Sequence, residues 1–332
     1  MRTPGLYRSS GADLPFGSPT SRHGVAMEGY VWRITDTASQ RAIIALIGVQ
    51  RSAKGKWALT GLGAHPGLFW RQAVLRDVKA RRRGPGARSG SKFFGDDRRV
   101  VVDLAPDAQL NVTLCDLKPW PSSRPFGGSS WFQVIPGLNQ YWHPWLLGGK
   151  ASGTATIGEE TWELDNADVY AEKNWGKAGF PDSWWWGQAQ GFAEPEVCVA
   201  FAGGEVTAGP LRTEVTGLVV RLPDGTLIRL GNPGTSPVRA KITDDSWLLS
   251  GRSLSWHVEV QGHASLGDAL VLPVPIVEER RGAPGALEHL GGTMSVQVRH
   301  RGRLVWEGTS HLAGLEHGGL ERAAAEEQRR IA

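Results

Sequence analysis

The chain has 332 residues, 40% hydrophobic and 21% charged, an ordinary soluble globular balance with room for one large or two medium domains. No apolar run approaches the roughly 18 residues a membrane helix needs, and the first residues carry no signal-peptide apolar block, so a cytoplasmic protein is expected. Two cysteines, Cys115 and Cys198, exclude a disulfide scaffold and are expected as small buried hydrophobes, while the formal charge of +4 is mild.

Residues 1–22 read as a loose polar arm. Gly29 to Asp36 then alternates Tyr30, Trp32 and Ile34 as a strand, and Arg41 to Gln50 reads as a more fully buried one. Trp57 to Gly63 and Trp70 to Asp77 continue the pattern. Lys79 to Lys92 concentrates basic charge, with Arg81, Arg82, Arg83 and Arg88 among Gly and Pro. The bland reading is a solvated loop; the sharper one is peripheral contact with anionic lipid head groups, at about 1 kcal/mol per basic side chain. Nucleic acid is not expected as a partner, because no aromatic interrupts the basic run and no recognition helix is visible.

Val100 to Asp103 and Gln109 to Leu114 read as short strands around a turn at Ala105-Pro106-Asp107. Lys118 to Lys150 is rich in Pro, Gly, Ser and aromatics and reads as long irregular loops. Gly153 to Ile157 and Glu160 to Leu164 make a hairpin about Gly158. Strands follow at Trp184 to Phe192, Val197 to Phe201, Leu211 to Leu222, Thr226 to Leu230, Val238 to Ile242, Ser246 to Gly251 and Leu254 to Gln261. Gly292 to His300 and Leu304 to Ser310 close the series, and Leu320 to Ile331 reads as a short helix with Glu326 and Arg330 at i,i+4.

So many short antiparallel strands predict an all-β protein of barrels or sandwiches, and about seventeen strands exceed one small barrel of roughly eight. Two domains are therefore expected, 23–166 and 167–332, with the boundary near Asn166. Met27-Glu-Gly-Tyr-Val-Trp32 and Ala171-Glu-Lys-Asn-Trp175 form a faint echo that reads as a trace of duplication.

Chemistry concentrates in one stretch. Nine of the 15 Trp fall between Trp120 and Trp186, and Tyr170-Ala-Glu-Lys-Asn-Trp-Gly176 runs through Phe180-Pro181 into Trp184-Trp185-Trp186. No His-x-x-x-His, Cys-x-x-Cys, Walker or Gly-x-Ser-x-Gly pattern accompanies it, so no metal site is expected. A carboxyl group buried among indoles can hold a proton at neutral pH and pass it to an alkene, and indole faces can steady the resulting cation. Glu172, Asp168 and Asp182 are the candidate acids; Asp165 is a further carboxylate in the same stretch. Lys173 can instead hold a neighbouring carboxylate ionised, making Glu172-Lys173 a scaffold salt bridge. Strand alternation turns Trp185 away from Trp184 and Trp186.

Tyr170-Ala-Glu-Lys-Asn-Trp-Gly176, with Gly179-Phe180-Pro181 and Trp184-Trp-Trp186-x-Gln188, resembles the signature of the tocopherol cyclase family. Glu28-Gly-Tyr-Val-Trp32 resembles the family's opening Glu-Gly-Trp-Tyr segment, and Phe94-Gly95-Asp96 is a weaker echo. The resemblance implies two tandem lipocalin-like antiparallel β-barrels and a cofactor-free cyclisation, in which a protonated prenyl double bond is captured by a phenol oxygen to form a chromanol. The implied partner is a hydrophobic small molecule, a prenylated phenol or quinol or another isoprenoid, handled by a cyclase or hydratase. A non-catalytic isoprenoid carrier is the alternative. Tyr170, Lys173 and Asn174 are the expected positioning neighbours of the acid, and Trp175, Trp184 and Trp186 the cation-stabilising wall. Glu28, Tyr30, Trp32, His143 and Gln188 complete the expected substrate-facing set, with His143 suited to activating a phenol.

Overall fold

In the computed structural model, residues 26–331 are described apart from 82, 83, 125, 136, 178 and 210. The expected arm 1–22 and the basic Arg82 and Arg83 lie outside the described residues. The described chain is almost all β, in two antiparallel sheets.

The first sheet contains β1 (Met27–Asp36), β2 (Arg41–Ser52), β3 (Gly55–His65), β4 (Phe69–Leu75), β5 (Lys79–Ala80) and β6 (Ala87–Ser89). It continues with β7 (Phe93–Gly95), β8 (Arg99–Ala105), β9 (Ala108–Cys115), β10 (Tyr141–Leu146), β11 (Lys150–Ile157) and β12 (Glu160–Gly176). Its order is β4-β3-β2-β1-β12-β11-β9-β8-β7-β6-β5, with β10 also pairing with β12. Alternate residues such as Trp32, Ile34, Ile43, Leu62, Val100, Leu110 and Val169 point inward and form one core.

The second sheet contains β13 (Trp184–Ala189), β14 (Cys198–Ala208), β15 (Leu211–Arg221), β16 (Leu227–Leu230) and β17 (Val238–Ile242). Then come β18 (Ser246–Arg252), β19 (Trp256–His263), β20 (Leu270–Ile276), β21 (Arg281–His300) and β22 (Arg303–Gly318). The order is β16-β15-β14-β13-β22-β21-β19-β18-β17, with β20 on β21. Phe201, Leu218, Trp247, Val260, Val296 and Leu315 belong to its separate core. Each sheet thus wraps its own interior, the tandem lipocalin-like arrangement. The helix α1 (Leu320–Ile331) closes the chain, with Arg330 bonded to Glu326 at 2.7 Å and to the Ala269 carbonyl at 2.7 Å. No helix among the described residues is long and apolar enough to cross a membrane.

Three features depart from the sequence reading. Asn166 lies inside β12 at φ 55°, in the left-handed region, and the sheets part only between Gly176 and Trp184. A turn-like asparagine therefore marks an irregularity in a long strand. The echoing segments are not equivalent strands of two repeats: they pair with each other, Met27 opposite Gly176 and Trp32 opposite Ala171. Residues 118–150, expected as loops, contain β10, and Cys115, expected buried, is exposed because it falls on the outer phase of β9.

In the basic run, Arg81 pairs with Asp96 at 3.0 Å and Asp97 at 3.3 Å, and Lys92 with Asp103 at 3.6 Å. Half-exposed pairs of this kind contribute little stability, but they offset local charge.

Candidate functional site

The Tyr170–Gly176 stretch is the C-terminal part of β12, so successive side chains point to opposite faces. Tyr170, Glu172 and Asn174 turn toward the second sheet; Ala171, Lys173 and Trp175 turn into the first. The side of β12 that meets the second sheet borders a cavity between the two barrels. From the first sheet it is lined by Val31, Ile44, Leu46, Glu172 and Asn174, and from the second by Trp184, Trp186, Leu272, Val274, Glu288 and Glu316.

Glu172 is buried at 3% exposure, and three donors converge on its Oε2. Tyr170 Oη lies at 2.6 Å, Trp142 Nε1 at 2.7 Å and Trp186 Nε1 at 2.7 Å. Tyr170 comes from the same strand two residues earlier, Trp142 from the adjoining β10, and Trp186 from β13 across the cavity. Burial raises the Glu172 carboxyl above its ordinary pKa, and the three hydrogen bonds hold the rise back. With Oε2 occupied by N–H and O–H donors, a proton on this acid belongs on Oε1.

Lys173 does not pair with Glu172. Its Nζ is 2.8 Å from Glu28 Oε1, at 1% and 0% side-chain exposure, and sits 5.3 Å from the ring centres of both Tyr30 and Trp175. The reason is register: Lys173 lies opposite Tyr30 on β1, which makes Glu28 its diagonal neighbour on the inward face. The expected Glu172-Lys173 salt bridge is therefore corrected to Lys173-Glu28, in a different chamber from the acid.

Trp184 and Trp186 share one face of β13. Trp185 turns into the second core, donating to Thr216 Oγ1 at 3.1 Å. Trp184 Nε1 donates to Glu316 Oε1. Gly318 makes this possible, because a Cβ there would lie 1.8 Å from the Trp184 ring. Glu316 stands opposite Glu288 in the β21–β22 ladder, and both carboxyls are raised, chiefly by burial and then by nearby carboxylates, Glu316 to about 7.

Arg33, fully buried on β1, ties the two sheets together. It donates to Thr35 Oγ1 at 2.8 Å, Gln188 Oε1 at 3.0 Å, the Leu290 carbonyl at 2.9 Å and the Leu312 carbonyl at 2.5 Å. Both carbonyls sit where the β21–β22 register shifts, which leaves backbone acceptors outside the regular ladder. Burial lowers the guanidinium to about 10.

The remaining expected residues scatter. Asp168 is bound to Lys150 at 2.7 Å and Asp182 is exposed; neither lines the cavity. Trp32 is in the first core with Nε1 on the Asp96 carbonyl at 3.1 Å, and Trp175 stacks on Tyr141 at 5.4 Å. Gln188 is engaged by Arg33. Tyr30 borders the cavity but lies mainly in the first core. His143 borders a second cavity with Trp120, Gln133 and Trp145, and burial, with the Lys173 charge, lowers it to about 3. It is therefore a neutral imidazole at ordinary pH. Asn174 lies over Gly29, and its Oδ1 accepts no hydrogen bond among the described residues.

Trp142, Arg33, Glu288 and Glu316 were not singled out in the sequence. A signal existed for the two acids: Leu287-Glu-His289 and Leu315-Glu-His317 place the same Glu-His pair in two apolar runs. Among the described residues, no group of three or more His, Cys, Asp and Glu side chains is placed to hold a metal ion.

Comparison with known proteins agrees with this architecture. The family model described as tocopherol cyclase-like matches residues 107–319. A probable chloroplastic tocopherol cyclase of Oryza sativa subsp. japonica is 30% identical over 240 residues, 68% of this chain and 50% of the relative. The chloroplastic tocopherol cyclase of Zea mays is 29% identical over 240 residues with the same coverage, so the chain spans about half the length of the curated relatives it matches. Among solved structures, an AttH-type protein of Nitrosomonas europaea aligns with TM-score 0.54 at 12% identity, over 92% of this chain and 97% of its own. Kievitone hydratase of Nectria haematococca aligns with TM-score 0.53 at 12% identity, over 96% and 93%. These structural likenesses carry the two-barrel fold alone. The extent of the family match and the 30% identity to the rice relative establish that the chain belongs to the tocopherol cyclase-like family.

Proposed function

We propose that this protein is a proton-initiated cyclase acting on a prenylated phenol or quinol in the cavity between its barrels. Glu172 donates the proton from Oε1 to one carbon of a prenyl double bond, forming a C–H bond and leaving a tertiary cation. The phenol oxygen captures that cation, the phenol O–H breaks as the C–O bond closes a chromanol-like ring, and the released proton ultimately restores the Glu172 carboxyl. The observation that carries this reading is a buried, raised carboxyl on an apolar cavity, with Oε2 held by three donors at 2.6–2.7 Å. The donors orient the acid and stabilise the carboxylate left after transfer, a task worth about 1.5–3 kcal/mol per charge-assisted bond. Trp184 and Trp186 line the same space, where a desolvated cation gains roughly 2 kcal/mol from an indole face.

The family relationship supports the reading, since curated relatives are named as tocopherol cyclases. A carrier holding an isoprenoid draws on the same apolar lining but gives no role to a proton-holding carboxyl. Incubation with a prenylated hydroquinone tests the proposal: wild-type protein should close the ring, and Glu172→Gln should bind the same compound without closing it.

A further inference from the structure

We propose that Glu288 and Glu316 form a proton-sharing carboxyl pair that accepts the phenol proton released on ring closure and returns it to Glu172. The part the pair plays in turnover rests on the cyclisation proposed above; the shared proton does not.

The geometry comes first. Glu288 on β21 and Glu316 on β22 are directly opposed in an antiparallel ladder, so their side chains rise from the same face, and both border the cavity that Glu172 borders. Directly opposed residues of an antiparallel pair bring their side chains side by side, so the two carboxyls are cross-strand neighbours. Two carboxylates held together like this cannot both ionise cheaply, and they titrate as one unit.

The surroundings do not relieve them. Glu288 is 1% exposed, and neither of its oxygens accepts a hydrogen bond among the described residues. Glu316 is partly exposed, but to the cavity, and takes the Trp184 indole N–H on Oε1. The charged groups that face the pair are Arg33 from β1, which favours ionisation, and Glu172 from β12, which opposes it. Both Arg33 terminal nitrogens are already bonded to Thr35, Gln188 and two carbonyls. His289 and His317, next in sequence, turn to the other face, His289 against Trp247 and His317 toward the Thr243 carbonyl. A proton held between Glu288 and Glu316 would give one of the two buried Glu288 oxygens a partner and remove one of the two charges.

Such a pair suits the second half of the cyclisation. Glu172 loses a proton to carbon, and the phenol loses one from oxygen. The singly protonated pair takes the phenol proton and becomes doubly protonated, and it then passes one proton to the Glu172 carboxylate. Atoms and charge balance, and no co-reactant is needed.

Infrared difference spectroscopy of the purified full chain in H2O and D2O at pH 7 reads protonated carboxyl C=O stretches directly. The broadened, lowered C=O band of a carboxyl that shares its proton should be replaced by the band of an isolated buried carboxyl in both Glu288→Gln and Glu316→Gln, and should persist in Glu172→Gln. Unchanged carboxyl bands in both of the first two variants would overturn the shared proton. With a prenylated hydroquinone, the two variants should lose about a hundredfold in kcat and shift the acidic limb of its pH profile, with KM little changed. If wild-type protein closes the ring and both variants keep its kcat and pH profile, the pair's part in turnover is overturned and the cyclase reading stands. If wild-type protein closes no ring, both fall together, while the infrared result still decides whether the proton is shared.

Discussion

Glu172 and Lys173 are neighbours in sequence and strangers in space: Glu172 borders the cavity between the barrels, whereas Lys173 is bound to Glu28 at 2.8 Å inside the first. Removing one partner of a buried pair leaves an uncompensated charge, at a cost of about 3–5 kcal/mol. Lys173→Met is therefore expected to lower stability by that order in urea melts, and adding Glu28→Gln should restore part of it. Glu172→Gln, by contrast, should stay folded. Equal losses from Lys173→Met and Glu172→Gln would contradict the two-chamber arrangement.

The three donors on Glu172 Oε2 predict a directional pH effect. Each stabilises the carboxylate, so deleting one by Tyr170→Phe or Trp186→Phe should raise the acid's pKa further. Because the protonated form is the active one, the basic limb of the kcat profile should move to higher pH. A limb that stays fixed in both variants would show that Glu172 is not the group titrating.

Stability should depend on pH with opposing limbs. Glu316 is raised to about 7, so the folded chain binds more protons than the unfolded one between ordinary carboxyl pH and about 7. Its contribution is present at low pH and lost as pH rises from the ordinary carboxyl range through about 7. His143 and His289, lowered to about 3 and about 4 chiefly by burial, act oppositely: their contribution is present above the ordinary imidazole range and lost as pH falls below it. Urea melts of Glu316→Gln should match wild type near pH 5 and exceed it near pH 8. The same difference at both pH values would contradict the raised carboxyl.

Much of the fold was legible because it rests on local signals. Alternation and turn residues marked most strands and correctly separated Trp185 from Trp184 and Trp186, and the helix Leu320–Ile331 was visible from its period. What was not legible depends on register between distant strands. Nothing local shows that β12 lies beside β1, which is what brings Glu28 to Lys173 across 145 positions. The same alternation that sorted the tryptophans also separates Glu172 from Lys173, but the tempting reading of adjacent opposite charges as a pair hid it. Glu288, Glu316 and Arg33 sit in apolar strand runs where a charge reads as an exception; only the convergence of the two carboxyls on one cavity, and the bonds of Arg33 from the first sheet to the second, give them meaning.

The most direct test of the central claim is turnover of a prenylated hydroquinone in deuterated water, followed by mass and NMR analysis of the product. A carboxyl that equilibrates with solvent and protonates the alkene should place one deuterium on carbon in the new ring for each ring closed, and Glu172→Gln should form no labelled product. A ring product without deuterium, or labelled product formed undiminished by Glu172→Gln, would contradict Glu172 as the proton donor.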